Sequence, residues 1–162
     1  MNPQHIGQIE IKAGVITVST TRTENTDTSG RMIRDLFTAA DIPVVSYGIV
    51  PDKIGEIRRA LITALNEANC VIINGGTGLT HDDCTIEAVL PLLEKRIDGF
   101  GELFRLKSYE EIGTPAILSR ALAGICQNGV VFCIPGSNAA VRLATETLII
   151  PEIRHILTHA TR

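Results

Sequence analysis

Short runs of nearly continuous apolar residues punctuate the chain at positions 15–18 (VITV), 70–73 (CVII) and 130–134 (VVFCI), with a more weakly alternating run at 44–49 (VVSYGI). Runs of this length, rich in Val and Ile, predict strands buried on both faces, as in parallel sheets covered by helices. Between them the period changes. Over residues 54–68, Ile54, Ile57, Leu61, Ala64, Leu65 and Ala68 recur at three- and four-residue steps, which leaves Glu56, Arg59 and Glu67 on the opposite side. That spacing predicts an amphipathic helix, with Pro51-Asp52 ahead of it as turn and N-cap. Residues 30–40 and 138–148 repeat the pattern, and so do 85–96, where Pro91 must kink or divide the helix. Residues 98–124 read as two further helical stretches with no strand between them. Gly113 closes the first, and Thr114-Pro115 opens the second as cap and first helical residue. A short helix over 151–159 ends the chain. This alternation predicts a three-layer α/β domain with a mainly parallel sheet, spanning 13–162 after an N-terminal extension over 1–12.

Composition narrows the class. At 162 residues the chain fits one domain. Hydrophobic residues make up 44% and charged residues 20%, which excludes a disordered linker. Aromatics are only 4%, so Ile, Leu, Val and Ala must build the core. A net charge of −3 speaks against nucleic acid as a partner. No apolar run approaches the roughly 20 residues that span a bilayer, and residues 1–12 lack the pattern of a signal peptide. The expectation is a cytoplasmic protein without a membrane partner. Cys70, Cys84, Cys126 and Cys133 form neither a CxxC pair nor a zinc spacing, and Cys70 and Cys133 read as small buried hydrophobes.

The segments rich in small and polar residues follow the carboxyl ends of the predicted strands: 19–29, 51–52, 75–83 and 135–138. Ligands of open α/β sheets bind beyond that edge. Asn74-Gly75-Gly76-Thr77-Gly78 is the sharpest of these. Its glycines serve either a tight strand-to-helix turn or a concave nest of N–H groups for an anion. Asp83 and Thr85 follow at the mouth of the next helix. No Gly-Lys-Ser/Thr follows, so it is not a Walker loop, and no third glycine completes a dinucleotide fingerprint. Asp52, Asp82 and Asp83 beside such a nest make chemical sense with a cation between carboxylate and phosphate; Mg²⁺ binds through one or two carboxylates plus phosphate oxygens. Asp52 and Asp83 read equally as helix caps. Pro135-Gly136-Ser137-Asn138 repeats the strand–turn–helix geometry, and Ser119-Arg120 offers a hydroxyl and either a phosphate fork or a solvated guanidinium. His155 and His159 can share one side of the last helix; with no third ligand near in sequence they read as surface.

Gly75-Gly76-Thr77-Gly78 followed by Asp83-x-Thr85-x-Glu87-Ala88, then Gly99-Phe100-Gly101-Glu102, Ser119-Arg120-Ala121 and Pro135-Gly136-Ser137, resembles the MoaB/MogA family of molybdenum cofactor biosynthesis proteins. Thr26-Asp27-Thr28-Ser29-Gly30 and Val50-Pro51-Asp52 fit the same pattern, and the likeness runs from about residue 13 to 150. Gly136-Ser137 after Pro135 and the short length look more like the MoaB branch. The resemblance implies a molybdopterin-binding fold assembled as a homotrimer or homohexamer. It also implies Mg²⁺-dependent adenylylation of the molybdopterin phosphate by ATP, with pyrophosphate released, ahead of molybdenum or tungsten insertion. By position, Asp52 and Asp83 match the aspartates of catalysis and metal handling. Asp27, Ser29, Gly30, Gly75, Gly76, Thr77, Gly78 and Thr85 would surround the nucleotide, and Ser119, Arg120, Pro135, Gly136 and Ser137 the molybdopterin. The family commonly has Arg directly before the catalytic aspartate, where this chain has Asp82; a molybdopterin carrier without catalysis is the alternative reading.

Overall fold

A computed structural model describes residues 9–161, and it places a six-stranded sheet between two layers of helices. The strands are β1 (Ala13–Val18), β2 (Val44–Val50), β3 (Cys70–Asn74), β4 (Lys95–Arg96), β5 (Leu122–Cys126) and β6 (Gly129–Ile134), in the order β2-β1-β3-β6-β5-β4. β2, β1, β3 and β6 run parallel, while β5 and β4 close one side antiparallel. The three central parallel strands are buried at every position, which is why their sequences read as continuous apolar runs. Alternate residues feed two cores. Val15, Ile72, Phe132 and Ile134 pack with α1 (Thr28–Ala39), α4 (Asp98–Ile112) and the C-terminal helices. Ile16, Val18, Val71, Ile73 and Cys133 pack with α2 (Ile54–Leu65) and α3 (Thr85–Val89).

The antiparallel side departs from the expectation. The helix predicted over 85–96 stops at Val89, because Pro91 cannot donate to the preceding turn; a 3₁₀ turn over Leu90–Leu92 follows, and Lys95–Arg96 then pairs with β5. The second helix predicted after Gly113 is only a 3₁₀ turn, Thr114–Leu118, and Leu122–Cys126 is a strand. Its sequence, LAGIC, carries a single β-branched residue, so it gives little strand signal. Gly124 is required there, since a Cβ would approach the Lys95 carbonyl oxygen to 2.5 Å. A two-residue turn, Gln127-Asn128, joins β5 to β6, with Gln127 at φ +55°.

The last two predicted helices are one continuous rod. α5 (Asn138–Arg142) passes through π-helical turns over Leu143–Ile149 into α6 (Ile150–Ala160). The wider turns lie where Pro151 lacks an N–H for the α-helical ladder. Residues 9–12, assigned to the N-terminal extension, lie against the domain: Ile11 is buried, Lys12 N–H donates to Asn69 Oδ1 at 2.9 Å, and Arg154 donates to the Ile9 carbonyl at 2.7 Å. The remainder of that extension, residues 1–8, lies outside the described residues. All four cysteines are free. Among the described residues no helix is long and apolar enough to cross a membrane.

Candidate active site at the carboxyl edge of the parallel strands

A cleft of about 810 Å³ opens where β1, β2, β3 and β6 end, a size suited to small-molecule ligands. Its base is the loop after β3. Gly75 and Gly76 adopt φ of +93° and +65°, the left-handed region that costs glycine nothing. Space demands glycine as well: a Cβ on Gly75 would run into the Val18 carbonyl, and one on Gly76 into the Thr85 hydroxyl, 3.1 Å from Asp52 Oδ1. Gly136, in the loop after β6, lies so near that its Cβ would meet Gly75 Cα at 3.1 Å.

The carbonyls of this loop are tied inward. Thr85 donates its hydroxyl to Gly75 O at 2.8 Å and its N–H to Gly76 O at 2.9 Å. Arg120 donates Nε to Thr77 O and a terminal nitrogen to Gly78 O, both at 2.9 Å, and reaches Glu87 at 2.6 Å. The Arg120 guanidinium holds the Glu87 carboxyl below the usual range. Gly75 N–H donates to Ile134 O at 3.0 Å, whereas the N–H groups of Gly76 and Thr77 have no partner among the described residues. Carbonyls satisfied from behind and amides left free make an anion nest. Arg120 therefore shapes the loop from its side, where a phosphate fork had been the other expectation.

Two carboxylates flank the nest. Asp52 accepts from the Thr20 hydroxyl at 3.0 Å and does not cap α2, whose capping position is Lys53 with no side-chain bond. Asp83 accepts from the Thr80 hydroxyl at 2.7 Å and the Thr80 N–H at 3.0 Å; a Cβ on Gly78 would stand 2.5 Å from its Oδ2. The Thr80 hydroxyl bond, helped by backbone N–H groups and the Arg120 charge and opposed by burial, holds Asp83 below the usual carboxylate range. Asp82 is exposed on the same wall. The donor set is oxygen only, and among the described residues no cluster of three or more His, Cys, Asp or Glu forms a self-sufficient metal cage. Two carboxylates beside a phosphate nest fit Mg²⁺, which takes the rest of its shell from water and phosphate oxygens.

Beneath the cleft floor is a buried polar network. Asp27, the N-cap of α1, is fully buried; it accepts from Thr17 and Tyr47 hydroxyls, each at 2.7 Å, and from Gly30 N–H at 3.0 Å. Ser29 donates to Asn74 Oδ1 at 2.8 Å, and Asn74 donates to Thr17 Oγ1 at 2.9 Å, so the network ends on the residue preceding Gly75. Burial pushes the Asp27 carboxyl up, but the Tyr47, Thr17 and Gly30 hydrogen bonds and the Arg22 charge outweigh it and hold it low. Burial and the Asp27 bond push Tyr47 up to about 12. Arg22, half-buried on the wall, bonds Ser29 and donates to Gly136 O at 3.3 Å.

Of the residues expected at the site, Asp52, Asp83, Gly75, Gly76, Thr77, Gly78, Ser119, Arg120, Pro135 and Gly136 line the cleft. Asp27, Ser29, Gly30 and Thr85 are buried behind it. Ser137 is exposed, off the wall, and caps α5 by accepting from Ala140 N–H at 3.2 Å. Thr20 and Arg22 line the cleft without having been singled out; the signal was the polar run Ser19-Thr20-Thr21-Arg22 directly after a buried strand. Tyr47, whose hydroxyl lies in a half-exposed edge strand, carried no such signal.

Comparison with known proteins agrees in fold and extent. The family model described as a probable molybdopterin binding domain matches residues 14–155. The chain is 49% identical over 150 residues to molybdenum cofactor biosynthesis protein B of Bacillus cereus, covering 91% of this chain and 89% of that protein. With the protein of the same name from Staphylococcus aureus (strain COL) it shares 48% over 156 residues, 94% and 93% of the two chains. The solved structure of the tungsten cofactor synthesizing protein MoaB from Pyrococcus furiosus superimposes with a TM-score of 0.88 at 42% identity, covering 96% of this chain and all of that one.

Proposed function

The chain belongs to the MoaB/MogA family of molybdenum cofactor biosynthesis proteins, and from that membership we propose that it binds molybdopterin and ATP in the cleft and adenylylates the molybdopterin phosphate. The observation that carries the reading is the glycine loop at Gly76 and Thr77, whose amides have no partner among the described residues and which lines a cleft with Asp52 and Asp83. An oxygen of the molybdopterin phosphate attacks the α-phosphorus of ATP, and a new P–O–P bond forms. The bond from that phosphorus to the oxygen bridging it to the β-phosphorus breaks, and pyrophosphate leaves with the electron pair. No side chain need act as nucleophile. Cys70 and Cys133 are buried, and burial together with the surrounding carboxylates raises the Cys84 thiol.

Catalysis here is alignment and charge management. The Gly76 and Thr77 amides donate to phosphate oxygens, Asp52 and Asp83 hold the cation, and Arg22 and Arg120 keep the surrounding loops in register. Mg²⁺, when bound, neutralises the phosphate charge and orients the leaving group. Ser119, Pro135 and Gly136 line the cleft beside the glycine loop, and we assign the pterin to them. The protein works in the reducing cytoplasm, which suits its four free cysteines. The test is direct: parent protein with Mg·ATP should release pyrophosphate only when molybdopterin is present. Tight molybdopterin binding without pyrophosphate would make it a carrier.

One observation favours that second reading. Asp82 adds a third carboxylate to the wall, and the guanidinium groups of Arg22 and Arg120 are already committed to protein partners. Asp82→Arg should therefore raise turnover if the native wall is too acidic for a triphosphate, and lower it if Asp82 helps hold Mg²⁺.

A further part of the proposal is assembly as a homotrimer or homohexamer. Leu103, Leu106, Tyr109 and Ile112 on α4, with Ile117 and Leu118 after it, are 50–84% exposed. Exposed apolar side chains in this number on one helix and the turn after it fit burial against a second copy of the chain, and Leu118 also borders the cleft. Sedimentation should give a mass well above 17.5 kDa; a monomer at micromolar concentration would contradict it.

A further inference from the structure

At the opposite, amino-terminal edge of the parallel strands, the last turns of α6 face β4 and the β5–β6 turn across a groove of about 530 Å³. His155 and His159 project into it with their Nε2 atoms 3.1 Å apart and their rings inclined at 68°. Glu152, one turn before, lies 3.1 Å from the other nitrogen of His155, Nδ1. An ionised carboxylate only accepts, so Nδ1 carries the proton and His155 Nε2 is an acceptor, its lone pair available to His159 Nε2–H or to a metal ion. We propose that this pair is a binding site for an imidazole-seeking divalent transition ion such as Zn²⁺, separate from the Mg²⁺ site of the cleft.

The spacing matches the chemistry. Two imidazole nitrogens about 2.0–2.1 Å from one ion, at octahedral or tetrahedral angles, lie about 2.9–3.4 Å from each other. The tautomer of His155 is already fixed by a carboxylate behind it, the arrangement that orients metal-bound histidines. The two histidines lie on one rigid helical face, so little side-chain freedom is lost on binding. Glu94 also lines the groove; of its cations, Arg96 is paired with Asp98 at 3.0 Å and Lys95 is exposed. No third protein ligand belongs to the group among the described residues, so water completes the shell. Imidazole selects Zn²⁺, Ni²⁺ or Cu²⁺ over Mg²⁺, which prefers oxygen.

Calorimetric titration of the full chain with Zn²⁺, in excess Mg²⁺, tests this. The parent should bind one Zn²⁺ per chain at the pair. His155→Ala and His159→Ala should each weaken that binding at least about tenfold, and Glu152→Gln about tenfold through loss of the orienting carboxylate. Pyrophosphate release should be unchanged in all three, because the groove is at the far end of the sheet from the cleft. Zn²⁺ binding that survives both histidine changes, that is insensitive to Glu152→Gln, or that Mg²⁺ displaces would overturn the proposal.

Discussion

Aspartates stand both beneath the cleft floor and on its wall, and the two settings use the same carboxylate in opposite ways. Asp27 is fully buried, and both of its oxygens are saturated by Thr17, Tyr47, Gly30 and Arg22. It has nothing left to offer a ligand. Asp52 has one recorded donor, Thr20, and faces the cleft; Asp83 is fixed from one side by Thr80 and faces the cleft as well. Spare acceptor capacity together with exposure leaves Asp52 and Asp83 able to take up the role proposed for them, which Asp27 cannot. All three follow parallel strands, so position alone does not distinguish them.

The sharpest way to break this contrast is Asp27→Ala. It leaves several buried donors and a half-buried guanidinium without their acceptor, and should cost about 3–5 kcal/mol of unfolding free energy in denaturant titration. A loss below about 1 kcal/mol would show that the floor is not the rigid base assumed here. Gly75→Ala comes next: it forces a side chain to φ +93° against the Val18 carbonyl, and should cost about 1–3 kcal/mol. Gly55→Ala is its control, since a Cβ there meets nothing within 4 Å; in the first turn of α2 it should leave the unfolding free energy unchanged or raise it by less than about 1 kcal/mol.

Tyr47→Phe removes one bond to the charged carboxylate and should cost about 1.5–3 kcal/mol at neutral pH, less than Asp27→Ala. The pH dependence sharpens the assignment. Tyr47 has its folded pKa raised to about 12, so its contribution is complete below the unfolded value of about 10 and is lost as pH rises through about 12. Asp27 has its folded pKa lowered; its contribution is present above the unfolded value of about 3.9 and fades as pH falls through the folded one. Unfolding curves of Asp27→Asn should therefore show a shallower acid limb than the parent, the remainder coming from Asp83 and Glu87, and Tyr47→Phe a shallower alkaline one, the remainder coming from the buried Cys70 and Cys133. A parent curve with neither limb would remove the network's electrostatic role.

The parallel half of the sheet was readable because strands buried on both faces must be continuously apolar, and helices facing such a sheet must be amphipathic. β5 was hidden because Leu122, Ala123 and Gly124 serve close packing rather than strand propensity, although Asn128-Gly129 was an available hairpin signal. The glycine loop and the wall aspartates were legible as residue types at strand ends. The division of labour among the aspartates was not, because Tyr47 reaches Asp27 across 20 positions and Thr20 reaches Asp52 across 32. Arg120 reads from sequence as either a phosphate fork or a solvated guanidinium, and only its bonds to Thr77, Gly78 and Glu87 give it a structural task.

The most direct test of the contrast between floor and wall is molybdopterin-dependent pyrophosphate release by Asp52→Asn, with its unfolding free energy determined on the same preparation. Asp52 on the wall predicts a loss of turnover of at least about a hundredfold with unfolding free energy within about 1 kcal/mol of the parent. Turnover within twofold of the parent would contradict the account, and so would a stability loss as large as that of Asp27→Ala.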